Sequence, residues 1–374
     1  MSSGIAILGA GLFATQAYIP ALVALGDSAP PLKAVYSRSE KSSTELSQSA
    51  SQSLKLETPP EIYFDADSSR NLDVLLQRSD IVAVIIVLPI TAQPEIVIKA
   101  LAAGKHVLSE KPIAPDVAKG LSLIKESSKY TQKGLVWRVA ENYEFEPAYR
   151  KAGELIRSGA IGKVAFFKAI VYNYIDKNSQ WYKTPWRTIP EYQGGFLLDG
   201  GVHTVAILRT ILSPLSLTHV TGFASLTKDY LLPHDTIHSV VRAGPDVHGL
   251  VEMTFASPVP SKPLSDNILI TGTEGWMSVN HANDKEGGLK ILIKKAVKPG
   301  SSIAEDDKVE EIEETFRLPV KGVEEEFRAF FAKINGVEGL EAGNPKDALL
   351  DVAYIQAALT SDGKLVNLAE LMQD

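Results

Sequence analysis

Apolar positions in roughly the first 140 residues fall into short continuous runs separated by stretches with three-to-four-residue spacing. Ile5–Leu8, Leu32–Tyr36, Ile81–Leu88, His106–Leu108 and Leu135–Val139 read as strands too uniformly apolar to keep one face in water. Gln16–Leu25, Gln93–Ala103 and Asp116–Tyr130 carry helical spacing between them. Alternating strands and helices predict an α/β layer with a parallel sheet, whose ligands bind at the carboxyl ends of the strands. The Ser-rich stretch Ser37–Ser53 reads as an exposed helix and loop.

The period changes after about Glu144. A helix over Pro147–Ser158 leads through Gly159-Ala160-Ile161-Gly162 into a strand over Lys163–Tyr174, and an irregular aromatic segment, Asp176–Gln193, precedes a helix over Phe196–Leu212. Val220–Leu226, Thr236–Ala243, Val247–Phe255, Asn267–Thr271, Gly275–Val279 and Leu289–Ile293 then follow as strands without helices between them. That succession predicts an α+β region around a large, mostly antiparallel open sheet. Lys298–Glu313 reads as a solvated polar loop, and Val323–Ile334 and Pro345–Thr360 as closing helices. Two domains follow, residues 1–141 and 142–374, with the last helices free to pack back on the first.

Composition narrows the function. Hydrophobic residues make up 45% and charged ones 22%, the balance of a globular protein. A net charge of −7 offers no basic excess for phosphate backbones, so nucleic acid is not expected as a partner, and no apolar run suggests a membrane. The absence of cysteine removes thiolate chemistry and thiolate metal sites; no metal is expected, and a cytoplasmic setting is.

Gly9-Ala10-Gly11-Leu12-Phe13-Ala14 follows the first strand and opens the first helix, the context in which G-x-G-x-x-A implies a dinucleotide. The glycines permit a tight turn and close approach to pyrophosphate, and Ala14 lets helix and strand pack. Ser37 and Arg38 end the second strand with no acid at its tip, which favours NADP over NAD because an arginine there accommodates a 2′-phosphate. Glu110-Lys111-Pro112 falls at a strand's ligand edge, where Pro112 keeps Lys111 out of helical geometry. Asp199 and His203, four apart, share one helix face. Taken alone, Lys111 reads better as a surface lysine, while a helix cap and a core histidine explain Asp199 and His203 as well as a site does. Gly200 and Gly201 between the two polar groups suggest close approach of backbone to something, such as a nicotinamide. His234 and His238, also four apart, are read as structural.

Together, the Gly9–Ala14 turn, Ala103–Pro112, Gly159–Gly162, Trp186-Arg187 and Gly194–His203 resemble the Gfo/Idh/MocA oxidoreductases over nearly the whole chain. The resemblance implies an N-terminal Rossmann domain and an NADP-dependent oxidoreductase exchanging hydride with a sugar, polyol or related carbonyl. Lys111, Asp199 and His203 would form the catalytic trio: His203 the proton donor and acceptor, Lys111 its electrostatic support, Asp199 an anchor for a substrate hydroxyl. Glu110, Leu88, Pro89 and Gln93 would lie along the cofactor, and Asn142 beside substrate or nicotinamide. On their own chemistry, Tyr172, Trp181 and Trp186 offer faces on which a sugar ring stacks, or else pack the loop or an interface, and Arg187 offers donors to a cofactor or substrate oxygen. Leu88-Pro89-Ile90, Gln93, Glu144 and Ala206 depart from common family residues. A homodimer or homotetramer through the open sheet is implied. A non-catalytic NADP sensor of the same fold and a reductase of imines or dihydrodiols are the alternatives.

Overall fold

The computed structural model describes residues 3–282, 287–297 and 310–373. The chain divides into two compact units: Met1–Phe145 with Gly322–Leu349, and Glu146–Lys321 with Leu350–Gln373.

Six parallel strands form the sheet of the first unit: β1 (Gly4–Leu8), β2 (Leu32–Tyr36), β3 (Glu61–Tyr63), β4 (Ile81–Ile86), β5 (His106–Glu110) and β6 (Trp137–Ala140). Their order, β3-β2-β1-β4-β5-β6, reverses at β1, so the crevice at its carboxyl end lies between β1 and β4. Helices α1 (Ile19–Leu25), α2 (Glu40–Leu54), α3 (Leu72–Leu76), α4 (Gln93–Ala102) and α5 (Val117–Thr131) connect the strands. A π-helical turn, Ala14–Tyr18, runs into α1 at Pro20, whose missing N–H is tolerated in the new helix's first turn.

Three of these elements differ from the expected pattern. The Ser37–Ser53 stretch is almost wholly helical, as α2, with an inner face of Ser43, Leu46, Ser47 and Ala50. Hydroxyls replace the missing apolar groups: Ser43 donates to the Tyr63 carbonyl at 2.8 Å and Ser47 to that of Pro60 at 2.6 Å. The short β3 and α3 carry too few residues to show a period.

Helix α6 (Pro147–Arg157) opens the second unit, followed by β7 (Val164–Tyr172), α7 (Pro185–Thr188) and α8 (Phe196–Leu212). Then come β8 (Leu217–Ser225), β9 (Thr236–Ala243), β10 (Val247–Thr254), β11 (Asn267–Gly272), β12 (Gly275–His281), β13 (Leu289–Ala296) and β14 (Glu311–Leu318). With β15 (Val366–Asn367) they form a nine-stranded sheet, β14-β13-β12-β11-β7-β10-β9-β8-β15, antiparallel except where β7 meets β10. Helices α6 and α8 pack on one face. The other face exposes alternate residues, as the pattern of β9 shows.

The loop expected over Lys298–Glu313, of which residues 298–309 lie outside the described ones, is shortened at its end, where Glu311–Glu313 already belong to strand β14. Its charged residues pair across to β13: Lys295 meets Glu314 at 2.7 Å, and Lys294 meets Glu313 at 3.5 Å. An edge strand stabilised by ion pairs lacks the apolar alternation of a buried one.

The remaining helices are α9 (Gly322–Ile334), α10 (Pro345–Thr360) and α11 (Leu368–Leu371). Helix α9 belongs to the first unit, burying Phe327, Phe330 and Phe331 against the β1–α1 layer. It also packs on a 3₁₀ turn, Asn142–Phe145, so the first unit runs four residues past the expected end at 141. No helix among the described residues is long and apolar enough to cross a membrane.

Candidate active site

At the carboxyl end of β1, Gly9 adopts φ +118°, and a Cβ there would stand 2.1 Å from the Val87 carbonyl oxygen. Its N–H donates to the Tyr36 carbonyl at 2.8 Å, fixing the turn to β2. Gly11 is the opposite case: a Cβ there would meet no protein atom within 4 Å. Ala14 is fully buried, while Leu12 and Phe13 are half-buried. Phe13 stands edge-on to Tyr18, leaving its backbone to serve a ligand. One glycine forced by the fold and one opening on empty space at a helix start make a cradle suited to a dinucleotide pyrophosphate. Leu88 and Pro89 flank it; the Leu88 side chain lies 3.3 Å from where a Gly9 Cβ would be.

Beyond β2, Ser37 is half-buried and Arg38 exposed. The expected absence of an acid at this tip needs amending. Asp65, just beyond β3, accepts from the Tyr36 hydroxyl at 2.6 Å and donates its N–H to the Arg38 carbonyl at 3.4 Å. Sequence reading missed it because the acid arrives from a neighbouring strand.

Lys111, half-buried, follows β5 at the same edge of the sheet, two strands along from the glycine turn, and its peptide bond to Pro112 is cis. Glu110 turns inward instead. It is 7% exposed, accepts from the buried Tyr18 hydroxyl at 2.5 Å, and receives the Lys111 N–H at 3.2 Å. Each carboxylate oxygen thus accepts from a protein donor, Tyr18 on one side and the Lys111 backbone on the other. Around it lie Glu141 and Glu326, each 1% exposed; neither Glu326 oxygen has a hydrogen-bond partner. Burial first, then the Glu110 and Glu141 carboxylates, push the Glu326 carboxyl well above the usual range. Burial, then Glu110 and Glu326, also hold the Tyr18 hydroxyl protonated.

Gln93, expected beside the cofactor, is 1% exposed, and neither of its amide atoms has a hydrogen-bond partner; the side chain is enclosed rather than presented to a ligand. Asn142 is half-buried in the 3₁₀ turn. Glu144 is a structural acid: it receives the Gly343 N–H at 2.9 Å and ties down the α9–α10 connection.

In the second unit, α8 carries Asp199 in its first turn and the half-buried His203 one turn later. Asp199 accepts from Nε of Arg187 at 2.7 Å. The Arg187 guanidinium lies 4.0 Å from the Trp186 ring centre and 5.2 Å from that of Trp181, so α7 and its flanks bring three expected residues to Asp199. Burial, then the Asp199 carboxylate, push the nearby Tyr192 hydroxyl up. The glycines have another purpose than the one expected. A Cβ on Gly200 would strike the Phe255 ring at 2.6 Å, and one on Gly201 would approach Ile355 and Met253 at 3.1 and 3.3 Å. They admit sheet and helix, not a nicotinamide.

Tyr172 is set apart. It pairs with Thr254 and donates to Glu252 on the sheet face away from α8, whereas Met253 and Phe255 face α8. By strand parity Tyr172 thus takes the sheet face opposite to the one that packs on α8, the helix of Asp199 and His203. His238 lies on that same outer face, 3.6 Å from Glu252. Among the described residues no group of acidic or histidine side chains could hold a metal.

Residues 3–136 match the oxidoreductase family model with an NAD-binding Rossmann fold, and residues 149–278 match the GFO/IDH/MocA C-terminal domain. Dehydrogenase FPY6 of Fusarium mangiferae is 38% identical over 362 residues, 96% of each chain. An oxidoreductase structure from Thermotoga maritima superposes with TM-score 0.81 at 27% identity, covering 99% of this chain and 100% of that one. A levoglucosan dehydrogenase solved with NADH and levoglucosan shares the fold, with TM-score 0.75 at 19% identity, 98% of this chain and 100% of that one being covered. The glycine cradle fits the pyridine nucleotide that such a Rossmann domain binds. The chain is an oxidoreductase of the Gfo/Idh/MocA family.

Proposed function

We propose that this oxidoreductase uses NADP(H) to exchange a hydride with a small polar carbonyl or hydroxyl compound, a sugar, polyol or related aldehyde or ketone. The observation that carries the reading is the Gly11 opening at the β1 edge, with Lys111 two strands along the same edge. A bound nicotinamide supplies or accepts the hydride. His203 then gives the matching proton to the substrate oxygen, or takes it in oxidation, and the Lys111 ammonium stabilises negative charge developing there. Arg38 pairs with the 2′-phosphate and Ser37 donates to it. The name of the levoglucosan dehydrogenase supports a sugar-like substrate; its NADH does not support NADP, so the phosphate preference rests on Arg38.

The test is NADPH oxidation against a panel of sugars and small aldehydes. His203→Ala or Lys111→Ala is expected to lower turnover by about two orders of magnitude or more while NADPH binding, followed by its fluorescence, persists. Undiminished turnover in both variants would refute the assignment. Wild-type silence across the panel with tight NADPH binding would instead fit a nucleotide sensor. Arg38→Ala is expected to weaken NADP binding about tenfold with NAD binding unchanged.

The outer face of the nine-stranded sheet exposes Phe166, Phe223, Val240 and Leu250, each more than 40% accessible. Such a patch supports self-association into a dimer or tetramer. A monomeric mass by light scattering at assay concentration would remove that part of the reading.

A further inference from the structure

We propose that Asp199 is a positioning residue that acts through Arg187, clamping the aromatic segment 176–193 to α8; the consequence for turnover rests on the oxidoreductase reading above. Three observations converge. Asp199 accepts from Arg187 Nε at 2.7 Å with both side chains largely buried, 9% and 14% exposed. A pair this enclosed resists opening, because either charge left alone would be stranded without water. The guanidinium plane is also held over Trp186 at 4.0 Å and beside Trp181 at 5.2 Å.

The segment itself has little regular structure besides the four-residue α7, and Lys177 and Lys183 within it are exposed. It is fastened at one side by Lys228, which donates to the Ile175 and Ser257 carbonyls, and by Tyr182 against Tyr230. The Arg187–Asp199 pair fastens it to α8, one turn from His203. With Nε engaged and the plane fixed by indoles, Arg187 keeps its terminal nitrogens for a ligand oxygen; among the described residues no hydrogen bond engages them. Asp199 thus determines where that fork of donors points.

Limited trypsin digestion of the full-length protein, without substrate or nucleotide, tests the clamp through the rates of cutting at Lys177 and Lys183. Asp199→Ala and Arg187→Ala are each expected to speed cutting about fivefold or more. The double variant should add nothing to the larger single effect. Asp199→Asn, which keeps a neutral acceptor for Nε and is milder on folding, should fall between wild type and Asp199→Ala. In turnover, Asp199→Asn should raise KM more than it lowers kcat, because the Arg187 donors lose their fixed direction while Lys111 and His203 remain in place. Wild-type cutting rates in both Asp199 variants, a double effect equal to the product of the singles, or a loss confined to kcat would overturn the proposal. Digestion needs no turnover, so an enzyme silent toward every substrate would sink the functional reading and leave the clamp result standing.

Discussion

The glycine turn after β1 and the Asp199–Arg187 cluster on α8 represent two ways of building a site. In the first, function lies in backbone: Gly9 is compelled by the Val87 carbonyl, Gly11 faces open space, and no side chain is needed. In the second, function lies in side chains whose placement depends on one another, an aspartate holding an arginine held in turn by two tryptophans. The first kind is rigid because the fold leaves one conformation; the second is adjustable because each partner can be exchanged.

The glycine pair offers the sharpest way to break that contrast. Gly9→Ala places a methyl into a carbonyl at positive φ and should lower Tm by about 5 °C or more, measured by calorimetry, with dinucleotide binding lost alongside. Gly11→Ala should leave Tm within about 1 °C of wild type yet weaken dinucleotide binding about tenfold. If both variants destabilise equally, Gly11 is a folding glycine and the cradle reading fails.

A smaller effect probes the acids behind Glu110. The folded Glu326 carboxyl keeps its proton above the usual carboxylate range, where the unfolded chain has lost it. Unfolding then releases a proton, so stability falls as pH rises from the ordinary carboxylate pKa toward the raised one. Glu326→Gln mimics the protonated form and should match wild type near pH 5. At pH 8 it should exceed wild type by about 2–4 °C in Tm. Parallel Tm curves over that range would show Glu326 ionised in the folded protein. The least effect is expected for Tyr172→Phe, which removes the bond to Glu252 on the outer sheet face. Stability should drop by no more than about 1 kcal/mol by urea titration, and kcat/KM should stay within about twofold; a larger kinetic loss would return Tyr172 to the substrate side.

Legibility in the sequence followed the same division. Strands β1, β2, β4 and β5 were readable because buried parallel strands are continuously apolar, and the glycine turn because its chemistry is local. The buried inner face of helix α2 hid behind serines and strand β14 behind charges, since hydroxyl-to-carbonyl bonds and ion pairs substituted for apolar periodicity. Asp199 and His203 could be placed on one helix face from spacing alone. That Arg187 would pair with Asp199 could not, nor that Asp65 would reach the β2 tip, because both depend on tertiary folding. Gly200 and Gly201 misled for a related reason: a glycine signals close approach without saying to what, and here the neighbours are Phe255, Met253 and Ile355. The face that Tyr172 takes was not legible, because only the strand register reveals which side of a sheet a residue occupies.

Helix α9 has a consequence for synthesis. The nucleotide-binding unit opens with β1, yet three of its phenylalanines follow more than 300 residues later in the chain. Each is worth about 1.5–3 kcal/mol when sequestered from water. The nascent unit therefore waits, with an apolar groove uncovered, through translation of nearly the entire second unit, a natural interval for chaperone attendance.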